Sequence, residues 1–212
     1  MIRLADVSGG VGIPADAIRS LRSGGLVIYP TDTLYGMGVD PRSPQGLARL
    51  VRTKGRAAGK PLPLLLSGPD CAAAWAAEVP AVAARLMARF WPGALTLVLP
   101  AAAGLPAEVT GGGDTVGLRV PAHPVARALA AAAGGAVTGT SANRSGEPGL
   151  WRDAESLLSE FSGDADWLLW DGPAASGTPS TVVRVSRQGE IACIREGAVP
   201  FRTITDHLQG RR

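Results

Sequence analysis

The chain has 212 residues, of which 46% are hydrophobic and 18% charged, and its formal net charge is +3. That length and composition suffice for a full hydrophobic core, and the mild positive charge fits a small anionic ligand at least as well as a nucleic acid. No apolar run reaches the ~18 residues that span a bilayer, and the N-terminal segment has no apolar signal region, so we expect a cytoplasmic protein without a membrane segment.

The hydrophobic pattern predicts alternating helices and strands, beginning with a helix over 14–23, a glycine pair as its stop, and a buried strand over 26–29. Ser43 and Pro44 predict the start of the next helix, because serine caps helices and proline suits their first turn. This helix is expected to end near residue 53. The remaining predicted helices span 70–77, 80–90, 124–133 and 153–160. The remaining predicted strands span 61–66, 94–99, 115–120, 136–140, 167–170, 180–185 and 191–195. The alternation predicts an α/β domain with one mixed sheet, parallel in part and antiparallel near the end.

Glycine and proline are scattered between apolar runs and mark no linker, so we expect one domain over 1–212, with a core over about 10–205 and a short flexible C-terminal tail. Cys71 and Cys193 are far apart and form no CxxC pair, which favours reduced, packed thiols over a disulfide. The five tryptophans are expected in the core and not in a docking patch. They are Trp75, Trp91, Trp151, Trp167 and Trp170.

Three polar, glycine-containing segments stand out: PTDTLYGMG at 30–38, KGRAAGKPL at 54–62 and TGTSANRSGEP at 138–148. Between them they supply cations, hydroxyls, an amide and glycines that let the backbone approach a ligand closely. This combination of groups is typical of a site for a polyanion.

Lys54, Arg56 and Lys60 form a basic loop whose side chains and backbone N–H groups can converge on phosphate oxygens. The loop is not a Walker loop, because its glycines are separated by three residues instead of four and Pro61 stands where a magnesium-binding hydroxyl is needed. By itself, the loop is equally consistent with a solvated, charged connection.

The other two segments are also ambiguous when taken alone. Asp32 and its flanking threonines can point into a cleft or form a polar turn, and Ser141 and Asn143 follow a strand either as cleft residues or as an ordinary capping turn. The spacing around Ser141 does not match a GxSxG nucleophile motif. His123 and His207 form no metal-spaced pair, so we interpret both as structural or surface residues.

Taken together and in order, the segments resemble the YrdC-like family, the threonylcarbamoyl-AMP synthases. The resemblance covers nearly the whole chain and implies a single-domain α/β YrdC-like fold, with a twisted mixed parallel and antiparallel sheet flanked by helices and a central cleft. The motifs that carry it are PTDTLYGMG, the Lys54 and Arg56 pair, KPL at 60–62, FWPGALTLVL at 90–99, DTVGLRVPAHP at 114–124, TSAN at 140–143, PSTVV at 179–183 and IREG at 194–197.

The resemblance also implies roles by position. The residues expected to bind ATP are Lys54, Arg56, Lys60, Thr115, Asn143 and Arg195. Those expected to bind L-threonine are Thr33, Arg119, Ser141 and Ser180. Arg119 and Arg195 also allow a plainer interpretation, in which each pairs with an acidic neighbour. Ala57 replaces a proline of many family members and Leu65 a histidine of some longer members, so one side of the amino-acid pocket differs. The sequence has no counterpart of the long form's C-terminal domain, so we expect any lid to come from elsewhere or to be absent.

The implied reaction joins L-threonine, bicarbonate and ATP into threonylcarbamoyl-AMP and pyrophosphate, for the threonylcarbamoyladenosine modification of tRNA. Lys54 and Arg56 would act electrostatically, without a covalent nucleophile. Mg²⁺ would bind mainly through the ATP phosphates, and no protein ligand for it is assigned. Strands around Leu64 and Val98 are expected to form a dry wall. A transient contact with a tRNA threonylcarbamoyl transferase complex is also implied.

Two alternatives stay open from the sequence. One is an RNA-binding module whose basic loop holds tRNA or double-stranded RNA, although aromatic residues make up only 5% of the chain and form no stacking array. The other is an inactive or divergent carbamoyl-transfer paralogue of the same fold.

Overall fold

A computed structural model describes residues 1–10, 12–57, 59–147, 151–174 and 176–210. Its strands are β1 Arg3–Asp6, β2 Val27–Tyr29, β3 Gly36–Gly38, β4 Leu64–Leu66, β5 Leu95–Pro100, β6 Thr115–Arg119, β7 Ala136–Thr138, β8 Thr140–Ser141, β9 Trp167–Trp170, β10 Thr181–Val185 and β11 Ile191–Arg195. Its α-helices are α1 Ala15–Arg22, α2 Pro44–Lys54, α3 Ala81–Phe90, α4 Ala107–Thr110, α5 Pro124–Ala132, α6 Ala154–Glu160 and α7 Phe201–Leu208. Short 3₁₀ helices span Ser8–Gly10 and Pro69–Ala74. Ala58 of the basic loop, Pro148 of the third polar segment and the last two residues of the predicted tail lie outside the described residues.

The strands form two sheets instead of the predicted single sheet. The small sheet has the order β1-β9-β2-β3-β8, and the large sheet has the order β11-β10-β5-β6-β4-β7. Each sheet contains both parallel and antiparallel pairs; β10, for example, pairs parallel to β5 and antiparallel to β11. The α/β class with mixed strand pairing is therefore confirmed, and the number of sheets was wrong.

The chain passes from one sheet to the other at Gly139. The segment 136–140, predicted as one strand, is split there into β7 of the large sheet and β8 of the small sheet. The Gly139 N–H donates to the Pro63 carbonyl at 2.7 Å, and a Cβ at this position would lie 2.5 Å from Cγ of Leu65. Only glycine fits this junction without displacing its neighbours.

The α2 helix follows the prediction closely. The Ser43 hydroxyl accepts a hydrogen bond from the Gly46 N–H at 3.1 Å, and Pro44 occupies the first helical position. The helix ends at Gly55 in the left-handed conformation, with φ of 57°. Lys54 is therefore the last helical residue, and the basic loop begins directly after it.

Several short elements were not predicted. Among them, β3 has the sequence Gly-Met-Gly, which carries little β-propensity. It forms because Gly36 and Gly38 lie against the ring of Tyr29 on β2, where an added Cβ would approach ring atoms to 2.9 and 2.8 Å.

The segment predicted as a helix over 70–77 is instead the 3₁₀ helix Pro69–Ala74.

The described tryptophans support the core interpretation. Trp75, Trp91 and Trp167 are buried, whereas Trp151 and Trp170 are partly buried and pack against the core.

The two cysteines are free, as expected, but Cys193 is exposed on the edge strand β11 and is not a packed thiol. No helix in the described part of the chain is long and apolar enough to cross a membrane.

We predict that Gly139→Ala destabilises the fold by about 1–3 kcal/mol, because the added methyl overpacks the junction against Leu65. Urea unfolding measures the change. Gly68→Ala is the matched control, because a Cβ there meets no heavy atom within 4 Å. Equal stability of the two variants would contradict the tight junction.

Candidate active site

Residues of both sheets line a cavity of about 410 Å³. The small sheet contributes Gly36 and Ser141, the large sheet contributes Leu65 and Arg119, and the junction residue Gly139 lies between them. The cavity, called the cleft below, therefore lies where the chain crosses between the sheets.

The large sheet presents every second residue to the cleft, because successive side chains of a strand point to opposite faces. These residues are Leu65, Thr96, Val98, Thr115, Gly117, Arg119 and Val182. The intervening residues Val116 and Leu118 are fully buried in the core. Strand register places Val98 opposite Gly117 and Val182 opposite Thr96. The result is a continuous surface of aliphatic side chains and hydroxyls with one guanidinium.

Both strands expected to form an apolar wall line the cleft, but only one of the two named residues does. Val98 lines the cleft, but Leu64 is fully buried in the core on the other face of β4, and Leu65 takes its place. Leu64 and Leu65 are consecutive residues of β4, and consecutive side chains of a strand point to opposite faces of the sheet.

Lys54 connects the end of α2 to the turn after β8. Its side chain is buried, and Nζ donates to the carbonyls of Ser141 at 2.7 Å and Asn143 at 2.6 Å and to Oδ1 of Asn143 at 2.9 Å. Burial, and to a lesser extent the charge of Arg56, lowers the pKa of Lys54 to about 8. Lys54, Ser141 and Asn143 thus form one hydrogen-bonded group on the cleft wall.

Two arginines enter the cleft with their guanidinium groups held by backbone carbonyls. Arg56 donates from Nε to Lys60 at 3.2 Å and from Nη2 to Pro61 at 2.7 Å. Arg195 donates from Nε and Nη2 to the Ser180 carbonyl at 3.2 and 2.7 Å. Within the described residues, Nη1 of each arginine has no hydrogen-bond partner, so both are oriented while one edge stays open to a ligand. Burial lowers the pKa of both guanidinium groups, which nevertheless stay charged at neutral pH.

Arg119 is held more tightly than the other two arginines. It donates from Nη2 to Oδ1 of Asp32 at 2.6 Å, from Nη1 to the hydroxyl of Thr33 at 3.0 Å and from Nε to the carbonyl of Gly93 at 2.8 Å. Asp32 also accepts from the Ala122 N–H at 3.0 Å. The plainer interpretation of Arg119, a pair with an acidic residue, is therefore correct, and the arginine also lines the cleft.

Of the residues assigned to a site from the sequence, all but Lys60 line the cleft. They are Thr33, Lys54, Arg56, Thr115, Arg119, Ser141, Asn143, Ser180 and Arg195. The Lys60 side chain is exposed and is not among the described lining residues; its carbonyl serves as the acceptor for Arg56.

The sequence reasoning missed Thr96 and Val182 as cleft residues. The Thr96 hydroxyl is buried and lies 2.9 Å from the hydroxyl of Ser180, which also accepts from Nη2 of Arg195 at 3.3 Å. The sequence does contain a signal for Thr96. It is the polar residue of an otherwise apolar strand, and it lies two residues from Val98, so the alternation of side chains places both on the same face.

The histidines have structural roles, as expected. Nδ1 of His123 accepts from the Val125 N–H at 3.3 Å at the start of α5, and its Nε2 lies 3.0 Å from a carboxylate oxygen of Asp171. His207 packs edge-on against Phe90. No group of three or more metal-ligating side chains occurs among the described residues.

The fold and the cleft define an α/β protein with a cationic, hydroxyl-lined ligand site. The family model of the Sua5, YciO and YrdC proteins, described as Telomere recombination, matches residues 19–197. This chain belongs to the Sua5/YciO/YrdC family.

Individual relatives agree with this assignment. The chain is 46% identical over 175 residues to the threonylcarbamoyl-AMP synthase of Halorhodospira halophila and 40% identical over 173 residues to that of Alkalilimnicola ehrlichii. These matches cover 82% and 81% of this chain and 90% of each relative. The 35% identical synthase of Pyrococcus abyssi is longer, and the match covers 87% of this chain and 54% of that protein.

Solved structures share the fold. The structure of P. abyssi Sua5 complexed with L-threonine has a TM-score of 0.85 at 34% identity, over 93% of this chain and 57% of that chain. E. coli YciO has a TM-score of 0.84 at 24% identity, over 96% of this chain and 100% of its own, which supports the fold alone.

We predict that Asp32→Asn lowers the free energy of unfolding by about 1.5–3 kcal/mol, because it removes the charge that pairs with the buried Arg119. Urea unfolding measures the loss. Asp16→Asn provides the control: Asp16 pairs with Arg19 on the exposed surface, and its loss is expected to cost no more than about 0.5 kcal/mol. A cost at Asp32 as small as that at Asp16 would contradict a structural role for this pair.

Proposed function

We propose that the protein is an L-threonylcarbamoyladenylate synthase, a nucleotidyltransferase that forms threonylcarbamoyl-AMP and pyrophosphate from L-threonine, bicarbonate and ATP. The observation that carries the proposal is the convergence of Arg56, Arg195 and Lys54 with the hydroxyls of Ser141 and Ser180 in one cleft. The names of the bacterial relatives and the L-threonine bound to the P. abyssi neighbour support the same assignment.

Arg56 and Arg195 are the proposed phosphate ligands. Each is oriented by backbone carbonyls before any ligand arrives, and an oriented guanidinium stabilises developing negative charge without reorganisation. Thr115 and the turn at Asn143 complete the proposed ATP side of the cleft, and Lys54 adds positive charge there. The described cleft lining contains no carboxylate, so Mg²⁺ would be held mainly through the phosphate oxygens of ATP, where it would neutralise phosphate charge.

Thr33, Arg119, Ser141 and Ser180 are proposed to hold L-threonine. Among the described residues, each nitrogen of the Arg119 guanidinium makes one hydrogen bond, which leaves one N–H on each terminal nitrogen to meet a carboxylate. Leu65 lies on the cleft wall beside Arg119, because these residues are paired across β4 and β6. An aliphatic surface next to a guanidinium suits an amino acid with a short side chain.

In the proposed reaction the threonine amine combines with bicarbonate, releasing water and forming a carbamate. A carbamate oxygen then attacks the α-phosphorus of ATP, and the bond to the bridging oxygen breaks so that pyrophosphate leaves. The protein supplies position and charge and needs no covalent nucleophile. The apolar cleft residues Leu65, Val98 and Val182 limit water access, which protects the labile mixed anhydride.

We further propose that the product passes to a tRNA threonylcarbamoyl transferase complex through a transient contact in the cytoplasm. In this proposal tRNA is modified by the partner, and the cleft of this protein holds only the small molecules. Its size suits a nucleotide with an amino acid, at about 410 Å³.

Arg56→Ala is expected to lower kcat/KM for threonine-dependent pyrophosphate release by about 10- to 150-fold, because a charge-assisted hydrogen bond contributes about 1.5–3 kcal/mol. Lys60→Ala is the matched control within the same loop. Its exposed side chain is outside the cleft lining, so a change of less than about fivefold is expected. Coupled pyrophosphate detection measures both. Wild-type turnover in the Arg56 variant would reject the assignment of Arg56.

Serine is expected to be the best alternative substrate, with kcat/KM about 10- to 200-fold below threonine because it lacks only the methyl group. Valine is expected to be rejected more strongly, because it leaves the partner of the threonine hydroxyl unpaired in a buried site. Pyrophosphate release is compared with the three amino acids at fixed ATP and bicarbonate. Equal rates for all three would end the threonine assignment.

A further inference from the structure

The ammonium group of Lys54 has no hydrogen left for a ligand. An ammonium carries three N–H donors, and Nζ of Lys54 directs one to each of three protein oxygens at 2.6 to 2.9 Å. Two of these oxygens are backbone carbonyls, of Ser141 and Asn143, and the third is Oδ1 of Asn143. The side chain is also buried, with 4% of the residue exposed.

The partner of Lys54 is equally saturated. Oδ1 of Asn143 accepts from the Ser141 hydroxyl at 2.5 Å as well as from Lys54. Nδ2 of Asn143 donates to the carbonyls of Arg144 at 3.0 Å and Glu147 at 2.5 Å. The Asn143 amide is therefore engaged entirely within the protein.

A backbone bond joins the same two segments. The Ser145 N–H donates to the carbonyl of Lys54 at 3.0 Å, so Lys54 holds residues 141–147 through both its side chain and its main chain. This segment, called the 141–147 turn, brings Ser141, Ser145 and Gly146 into the cleft lining. The shape of the cleft at this wall depends on Lys54.

Arg56, unlike Lys54, keeps hydrogen-bond donors for a ligand. It is fixed by two carbonyls but retains, among the described residues, a terminal nitrogen without a protein partner. A phosphate can therefore bind to Arg56 without breaking any of its hydrogen bonds, whereas binding to Lys54 would break at least one.

We propose that Lys54 is a positioning residue, which shapes the ATP side of the cleft by holding the 141–147 turn and does not contact the phosphates. The proposal rests on the proposed function for the identity of the ligand. In this proposal the arginines bind the anion, and Lys54 holds the 141–147 turn that forms one wall of the cleft.

The protonation state of Lys54 provides one readout. A neutral amine has two N–H donors, so deprotonation leaves one of the three oxygens without its donor and removes a positive charge. Because burial and the facing charge of Arg56 lower the pKa of Lys54 to about 8, the ammonium predominates at pH 7 and is lost as the pH rises through about 8. Exchange protection of the 141–147 turn should fall over the same pH range, after correction for the intrinsic rate.

Hydrogen exchange of the ligand-free protein is the main test. In Lys54→Met, exchange of amides in the 141–147 turn should accelerate at least about tenfold relative to wild type, because three charge-assisted hydrogen bonds are lost. Arg56→Ala is the matched control and should leave exchange of this turn unchanged. Unchanged exchange in Lys54→Met would overturn the proposal.

Kinetics separate positioning from contact. If Lys54 and Asn143 act as one unit, Lys54→Met with Asn143→Ala should lower pyrophosphate release no more than about threefold beyond the worse single variant. Lys54→Met with Arg56→Ala should instead show nearly multiplied losses. Multiplied losses in the Asn143 combination would contradict the shared role.

A crystal structure of the wild-type protein with an α,β-methylene analogue of ATP tests the proposal without any variant. Nζ of Lys54 should remain within about 3 Å of the Ser141 and Asn143 carbonyls. Departure of Nζ from both carbonyls to a phosphate oxygen would overturn the proposal. Absence of threonine-dependent pyrophosphate release by the wild-type protein would instead reject the proposed function, and exchange in the ligand-free protein would still decide the role of Lys54.

Discussion

The close approach of backbone and side chain at Gly139 is the constraint on which the cleft depends. The chain leaves the large sheet after Thr138 and enters the small sheet at Thr140, with a single residue between them. That residue bonds to Pro63 on the neighbouring segment and leaves no room for a Cβ beside Leu65. Because the two sheets join at this point, residues far apart in the sequence line one cavity, and the polar segment after β8 faces the basic loop after α2.

The charged groups of the cleft are oriented by hydrogen bonds to the protein before any ligand binds. Arg56 and Arg195 are fixed by backbone carbonyls, Arg119 by Asp32 and two further acceptors, and Lys54 by the turn after β8. Within the described residues, no fully buried side-chain nitrogen or oxygen lacks a partner. Burying a charge is costly unless it is hydrogen-bonded, so these contacts stabilise the cleft and orient its donors for an anion. Preorganisation of this kind suits electrostatic catalysis better than nucleophilic catalysis.

The parts of the fold that depend on local signals could be predicted from the sequence. The α2 helix has a serine cap, a proline in its first turn and a left-handed glycine at its end, and each signal acts within a few residues. The strand β3 could not be predicted, because Gly36 and Gly38 form it only by fitting against Tyr29. The sequence also could not show that Leu65 and not Leu64 lines the cleft, because a run of three leucines does not reveal which of them faces the core. The exposure of Lys60 depends on how its loop returns after Gly55, which the order of charges does not determine.

The sequence by itself determined the residue types of the site, the order of the motifs and the family they resemble, because these properties are carried by short segments whose chemistry does not depend on distant contacts. Tertiary structure alone decided that the described strands form two sheets and that Thr96 and Val182 belong to the cleft. It also decided that Lys54 is saturated, whereas Arg56 retains a terminal nitrogen with no partner among the described residues. Those features arise from strand register and from hydrogen bonds between residues about 90 positions apart, such as Lys54 with Ser141 and Asn143. The sequence gives the number of hydrogen-bond donors on each side chain, but which of them are left for a ligand depends on the contacts that the folded chain makes.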